Sequence, residues 1–114
     1  MNLPEITPQV FRRHRRQLRA FLIGHEAWFS TRDLRRVVNA NINDCITRQL
    51  CDDQHQHVLL RTANGWFDEE MVVSESGLHA LLYVYCYHPE NRMLRQWISQ
   101  EVVAGLWSGR ALAG

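Results

Sequence analysis

The chain has 114 residues and a net charge of +1, with 46% hydrophobic and 22% charged residues. This length allows one domain with a modest core, and the composition is ordinary for a globular protein. No apolar run approaches the roughly 20 residues that span a bilayer, and the first residues do not resemble a signal peptide, so we expect a cytoplasmic protein. The three cysteines have no disulfide spacing, and we expect them to be reduced thiols.

The charges are divided unevenly along the chain. Residues 1–51 carry a net charge of +5, residues 52–114 carry −4, and all 13 lysine-or-arginine positions are arginines. The rigid fork of arginine suits phosphates and base edges. The absence of lysine from the whole chain is explained more simply by biased codon usage. The excess of arginine in residues 1–51, the front half of the chain, therefore makes that half the candidate binding surface.

The first part of the chain predicts an arm followed by a β-hairpin. Residues 1–9 contain two prolines and are expected to form a flexible arm. Residues 10–19 fit either a short helix or the approach to a strand. Residues 19–23 and 27–29 predict two strands separated by a turn at residues 24–26, which is the pattern of a hairpin.

Two short helices are predicted next. Ser30 and Asp33 form an S-x-x-D pattern that is typical of a helix start, and residues 30–38 then have one apolar face. An asparagine-rich stretch at residues 39–43 breaks this helix, and residues 44–50 predict a second one with an apolar inner side. The arrangement is loosely that of a helix-turn-helix, but the composition of the loop does not establish that motif.

The middle of the chain predicts short strands separated by polar segments. An Asn-Gly pair at residues 64–65 is typical of a tight hairpin turn. We expect strands at residues 58–61, 66–67 and 71–73, a polar loop at residues 52–57, and an exposed acidic run at residues 68–70.

Residues 74–107 predict two amphipathic helices joined near Pro89. Ser74 is a good N-cap, and Pro89 ends one helix and suits the first turn of the next. Apolar residues recur at helical spacing in both segments. They are Leu78, Leu81, Leu82, Tyr85 and Cys86 in the first helix and Met93, Leu94, Trp97, Ile98 and Val102 in the second.

These elements together predict an α+β fold. It consists of a small antiparallel sheet of short hairpins packed with short helices and a C-terminal helical hairpin. The domain is expected to span residues 10–109, with a tail at residues 110–114.

Two groups of arginines are candidates for binding the nucleic-acid backbone, because neutralising phosphates releases counterions. The first group is Arg12, Arg13, Arg15, Arg16 and Arg19, and a solvated face near a chain end explains it about equally well. In the second group, residues 32, 35 and 36 share one face of the predicted helix. We predict one continuous positive surface for DNA, formed by Arg12, Arg13, Arg15, Arg16, Arg32, Arg35, Arg36 and Arg48.

Metal binding and catalysis are not expected. Cys45, Cys51, His55 and His57 have spacings that match no usual zinc-ligand pair. The sequence offers no nucleophile with a recognisable base and no glycine-rich phosphate loop, so we predict a protein that is not an enzyme and needs no cofactor.

We expect the four tryptophans to differ in their burial and contacts. Trp28 and Trp97 lie on apolar faces and are assigned to the core, whereas Trp66 follows a tight turn and is expected to be partly exposed. Trp107 either seals the end of the last helix or lies in a homodimer contact.

Three segments of the chain resemble the Bro-N domain, the N-terminal module of baculoviral BRO proteins and of many phage antirepressors. Residues 73–81, V-S-E-S-G-L-H-A-L, are similar to the family's (N/S)-E-S-G-L-Y-x-L. Residues 89–103, P-E-N-R-M-L-R-Q-W-I-S-Q-E-V-V, are similar to its P-x-A-x-x-F-(R/K)-x-W-(V/I)-x-x-E-V-L. Upstream, residues 24–34, G-H-E-A-W-F-S-T-R-D-L, resemble its G-x-x-W-F-x-x-x-D-(V/L).

The resemblance covers residues 10–109 in matching order, with some departures. His79 stands where the family usually has Tyr, Ala104 stands where Pro is common, and residues 39–66 match only in outline. The family's module is often joined to a C-terminal partner domain, and we see none after residue 110.

The resemblance implies a DNA-binding transcriptional regulator of prophage or viral type, with double-stranded DNA as its partner. The alternative is an antirepressor-type module that captures a repressor protein or self-associates without touching DNA. In that case the acidic residues Asp68, Glu69 and Glu70 would matter, and the arginines would serve only solubility.

Overall fold

Six strands and five helices make up the computed structural model, which describes residues 3–38, 44–84 and 91–113. The strands are β1 (Glu5–Ile6), β2 (Gln9–Arg13), β3 (Arg16–Ile23), β4 (Glu26–Ser30), β5 (His55–Arg61) and β6 (Phe67–Ser74). The helices are α1 (Thr31–Val38), α2 (Asp44–Thr47), α3 (Glu75–Val84), α4 (Asn91–Trp97) and α5 (Ala104–Ala113). A 3₁₀ turn spans Asp52–Gln54, and a π-helical turn, Ile98–Val103, leads directly from α4 into α5.

The strands form one sheet in the order β1-β5-β6-β4-β3-β2. The α+β class is confirmed, but the sheet is mixed rather than purely antiparallel, because β1 runs parallel to β5. Glu5 and Ile6, which lie in the segment expected to be a flexible arm, pair with Leu59 and Leu60 of β5. The backbone hydrogen bonds of this pairing fix that part of the segment to the sheet.

The connection between β1 and β2 requires the sheet to curl. These strands occupy opposite edges, and a flat sheet of six strands would separate its outer strands by about 24 Å. Only Thr7 and Pro8 lie between the two strands, and the chain from Ile6 to Gln9 spans at most about 11 Å. The sheet therefore closes toward a barrel, with its two edges near each other.

The curl encloses a small apolar cluster on one face of the sheet. Among the described residues this cluster contains no helical side chain, so the sheet itself provides the cover. Its members are Phe21, Trp28, Val58, Leu60 and Val72, with Ile6 packed against them.

The other face of the sheet packs against the helices and forms the main core. α3 contributes Leu78, Leu81 and Leu82, and α1 contributes Leu34, all of which are buried. Trp28 and Trp97 are both buried, as predicted, but they belong to the two different clusters. The buried apolar side chains of the described helices thus lie in the cluster on the outside of the curl.

The predicted helix starts are confirmed in detail. The hydroxyl of Ser30 accepts the N–H of Asp33 at 3.3 Å, and the hydroxyl of Ser74 accepts the N–H of Gly77 at 3.1 Å. α2 is shorter than predicted, with turns continuing to Leu50. The predicted break at residues 39–43 and the connection at Pro89 lie outside the described residues.

The predicted β5–β6 turn is also confirmed, but both of its strands are longer than expected. Gly65 has φ +88°, and its N–H donates to the carbonyl of Thr62 at 3.0 Å. β5 begins at His55, inside the expected polar loop, and β6 runs through the expected acidic loop without interruption. A polar segment shows no strand pattern in the sequence, but it still forms a strand when hydrogen bonds to neighbouring strands hold it in place.

The C-terminal helical segment keeps one apolar stripe on the core from residue 94 to residue 106. Leu94, Ile98, Val102 and Leu106 recur every four residues and are all buried. In an α-helix this spacing drifts by roughly 40° per step, and the wider π-helical turn compensates for part of the drift. Met93 lies beside the stripe and is 60% exposed, so its assignment to the apolar face was wrong.

The expected tail at residues 110–114 is helical as far as Ala113. Within the described residues, none of the helices has both the length and the apolar character needed to cross a bilayer.

Candidate nucleic-acid interface

The first arginine group lies on a β-hairpin rather than on a helix. β2 and β3 are joined by His14 and Arg15, and Arg13 pairs with Arg16 at the end of the ladder. His14 and Arg15 have φ angles of 51° and 68°, which is the backbone of a type I′ turn. Neither residue is the asparagine or glycine that usually marks this turn, so the sequence left the conformation of residues 10–19 open.

The second arginine group lies on α1, which fills the space beyond the end of β4 and packs against β3, β4 and β6. Arg35 and Arg36 occupy its exposed last turn. The guanidinium of Arg16 donates a hydrogen bond to the backbone carbonyl of Arg36. A cation is stabilised at this end of a helix, because the last carbonyls have no intrahelical partners. This contact places the hairpin tip directly beside the end of α1.

Five of the predicted arginines are exposed on the end of the β2–β3 hairpin and in the last turn of α1, and we call them the arginine surface: Arg12, Arg15, Arg16, Arg35 and Arg36. Among the described residues, no carboxylate lies within ion-pair distance of any of them. Their charges are therefore available to an external anion.

Three other predicted arginines are placed differently. The guanidinium of Arg13 lies over the ring of Trp97, 6.0 Å from its centroid, where the negative face of the ring attracts it. Arg32 lies 3.7 Å from a carboxylate oxygen of Glu70, with its side chain 46% exposed. Arg48 is exposed after α2, and no hydrogen bond or ion pair of the described residues links it to the surface.

Arg19 is not part of any external surface, and its inclusion in the first basic group was wrong. The residue is only 9% exposed, and its guanidinium bonds two buried carboxylates. Its Nε donates to Asp33 Oδ2 at 2.7 Å, and its Nη1 donates to Glu70 Oε2 at 2.7 Å. Ser30 completes this network by donating to Glu70 Oε1 at 2.8 Å. Arg19 thus joins β3, α1 and β6 from the inside.

The network fixes the charged state of Arg19. Burial by itself lowers the pKa of this guanidinium, but the hydrogen bonds to Asp33 and Glu70 and the charges of both carboxylates outweigh burial. The pKa of Arg19 is therefore raised above its ordinary value, and the side chain remains a cation inside the fold.

The expected acidic run divides between the interior and the surface. Glu70 is buried against Arg19, so its assignment to an exposed segment was wrong, whereas Asp68 and Glu69 are exposed. Glu69 Oε2 lies 3.6 Å from Nδ1 of His57 on the neighbouring strand. In a strand, successive side chains point to opposite faces, and a run of three acids cannot all face the solvent when one face is enclosed.

The described residues contain no group of three or more histidine, cysteine or acidic side chains placed to hold a metal ion. Cys51 is exposed and free, while the side chain of Cys45 lies outside the described residues. A cleft of about 680 Å³ has His25, Glu75 and His79 in its lining. His79 Nε2 lies 3.8 Å from Glu75 Oε1, one turn earlier on α3.

Trp66 and Trp107 differ in their surroundings. Trp66 follows the β5–β6 turn and is 73% exposed, more than the partial exposure expected. The ring of Trp107 stacks on that of His25, with 6.1 Å between the centroids, so it holds α5 against the β3–β4 turn.

Comparison of the chain with protein-family models, with curated proteins and with solved structures finds no match.

Proposed function

We propose that this protein is a DNA-binding transcriptional regulator of prophage or viral type, built on a Bro-N-like domain. The regulatory role rests on the resemblance of the three motifs. DNA binding is supported by one observation above all, the hydrogen bond from Arg16 to the carbonyl of Arg36, which joins the two arginine groups. Phosphates of a duplex lie close together along both strands, so a patch of guanidinium groups with no carboxylate partner among the described residues suits them.

The charge balance of the interior supports this proposal. Arg19 and Arg32 are matched by the carboxylates of Asp33 and Glu70. The positive charge that remains in the front half therefore lies outside the network, mainly on the arginine surface. A protein with a near-neutral total charge then still presents a local positive potential to a polyanion.

The proposal is tested by the binding of a random duplex to the wild type and to the double variant Arg35→Glu, Arg36→Glu at low salt. We expect the wild type to bind and the variant to lose at least tenfold in affinity, because two charges are reversed and the net charge of the surface falls by four units. The double variant Arg92→Glu, Arg95→Glu has the same change of net charge on exposed positions of α4 and serves as the control. Equal loss in both variants, or no loss in the first, would contradict this placement of the DNA.

A second function, the protein-binding antirepressor module, is favoured by a different observation. Tyr83 and Met93 are 80% and 60% exposed, and Trp66 is exposed as well. Exposed aromatic and methionine side chains are enriched where proteins contact each other. If the wild type fails to bind duplex DNA at low salt, this second function, with a repressor or a second copy of the chain as partner, is the one to pursue.

A further inference from the structure

α1 is poorly placed to act as the element that enters a groove of DNA. In helix-turn-helix proteins the N-terminal residues of the recognition helix contact the bases. Here Thr31 and Asp33 in the first turn of α1 are buried, since Thr31 donates to the carbonyl of Met71 at 2.9 Å and Asp33 is bonded to Arg19. Of the exposed arginines on α1, Arg32 lies near the buried Glu70, whereas Arg35 and Arg36 lie in the last turn, away from it.

The β2–β3 hairpin has the opposite properties. Its tip is exposed from His14 to Arg16, and Arg12 is exposed beside it on β2. Two paired strands lie about 4.8 Å apart, and the major groove, about 12 Å wide, admits a two-stranded ribbon with its side chains. Arginine at such a tip can bond guanine edges with both arms of its fork.

The hairpin is also held rigidly next to its turn. Arg13 and Arg16 are opposite each other in the ladder and therefore lie on the same face. Arg13 lies over Trp97 of α4, and Arg16 bonds the carbonyl of Arg36 at the end of α1. These two contacts fix the direction of the tip before a ligand binds, which lowers the entropy cost of binding.

The turn itself carries strain that a fold alone does not require. Both of its residues adopt positive φ, where residues other than glycine and asparagine are disfavoured. Asn-Gly would form this turn more easily, yet the chain has a histidine and an arginine there. Strain of this kind is concentrated at functional sites.

We infer that the tip of the β2–β3 hairpin, with Arg12, His14 and Arg15, enters the major groove of duplex DNA. Arg35 and Arg36 at the end of α1 then contact the flanking phosphates. This inference rests on the proposed function and specifies which element contacts DNA and which groove it enters.

The test compares two variants in their affinity for the same duplex. The variant Arg12→Ala, His14→Asn, Arg15→Gly removes the tip side chains, while its Asn-Gly turn preserves the hairpin. The matched variant Arg35→Ala, Arg36→Ala also removes two guanidinium groups. We expect the first to lose at least tenfold more affinity than the second, with a cooperative urea transition in each variant showing that both are folded. The reverse order would overturn the inference but leave the proposed function intact.

The groove is tested separately on the wild type. Methyl green occupies the major groove and netropsin occupies the minor groove. We expect methyl green to displace the protein at concentrations where netropsin does not, and displacement by netropsin alone would overturn the inference. If the wild type binds no duplex at low salt, the proposed function fails and the inference fails with it.

Discussion

The side chain of Arg19 lies at the point where the sheet, α1 and the enclosed cluster meet. A buried cation is costly unless carboxylates and hydrogen bonds compensate for its lost hydration, and here Asp33 and Glu70 both do so. Because its pKa is raised above the ordinary value, this contribution to stability is complete at lower pH and is lost only if the pH rises through that elevated pKa. The network is thus insensitive to the deprotonation of Arg19 near neutral pH.

Replacement of Arg19 by methionine tests this network. The variant Arg19→Met leaves the carboxylates of Asp33 and Glu70 without their main cation, and we expect a loss of about 3–5 kcal/mol in the free energy of unfolding. Urea titration measures it. The control Arg12→Met, at an exposed position on the next strand, is expected to change stability by no more than about 0.5 kcal/mol. Similar values for the two variants would show that the network contributes little.

The position of Arg19 within an apolar strand indicates this network, although the net charge of the segment does not. Arg19 stands between Leu18 and Ala20 in an apolar strand, where a cation must either end the strand or find an internal partner. The predicted S-x-x-D start of α1 was correct for Ser30, but the carboxylate of Asp33 bonds Arg19. The partner on β6 is 51 residues from Arg19, and no local pattern identifies a contact at that separation.

At the level of elements, particular glycines allow α3 and α5 to approach the segments against which they pack. A Cβ at Gly77, in the first turn of α3, would lie 2.7 Å from the backbone carbonyl oxygen of Gln54. A Cβ at Gly109, in α5, would lie 2.6 Å from Nε2 of Gln9, which is the far end of a flexible side chain. The carbonyl of Gln54 cannot move unless the 3₁₀ turn moves with it, whereas the side chain of Gln9 can rotate away.

The two glycines are therefore expected to respond differently to alanine. Alanine favours a helix by up to about 1 kcal/mol over glycine, but overpacking against a fixed group costs about 1–3 kcal/mol. We expect Gly77→Ala to lower the free energy of unfolding and Gly109→Ala to leave it unchanged or raise it. Thermal unfolding of both variants measures the difference. A stabilised Gly77→Ala would show that α3 is not in close contact with the 3₁₀ turn.

Elements with strong local signals were predicted well, and those fixed by distant partners were not. The caps at Ser30 and Ser74 and the Asn-Gly turn depend on hydrogen bonds within a few residues. β1 and the first half of β6 exist because β5 lies between them and supplies partners. Residues 5–6 and 68–70 have no strand pattern of their own, so their pairing could not be predicted from the sequence.

At the level of the whole molecule, the curl of the sheet determines which arginines reach the surface. It turns Arg19 inward and brings the hairpin tip beside the end of α1, so that two groups separated in sequence become one. The sequence predicted one positive surface, and five of its eight candidate arginines belong to the arginine surface. It did not predict the stacking of Arg13 or the pairing of Arg32, because both depend on residues far along the chain.

The most direct test of the central claim is the salt dependence of binding to a random duplex, measured for the wild type and for a variant with all five residues of the arginine surface changed to alanine. Each phosphate contact contributes about −0.9 to the slope of log K against log salt concentration. We expect a wild-type slope of about −2 or steeper, because Arg35 and Arg36 contact phosphates, and a slope near zero for the variant. Identical slopes for the two proteins, or a wild type that does not bind at low salt, would contradict the account.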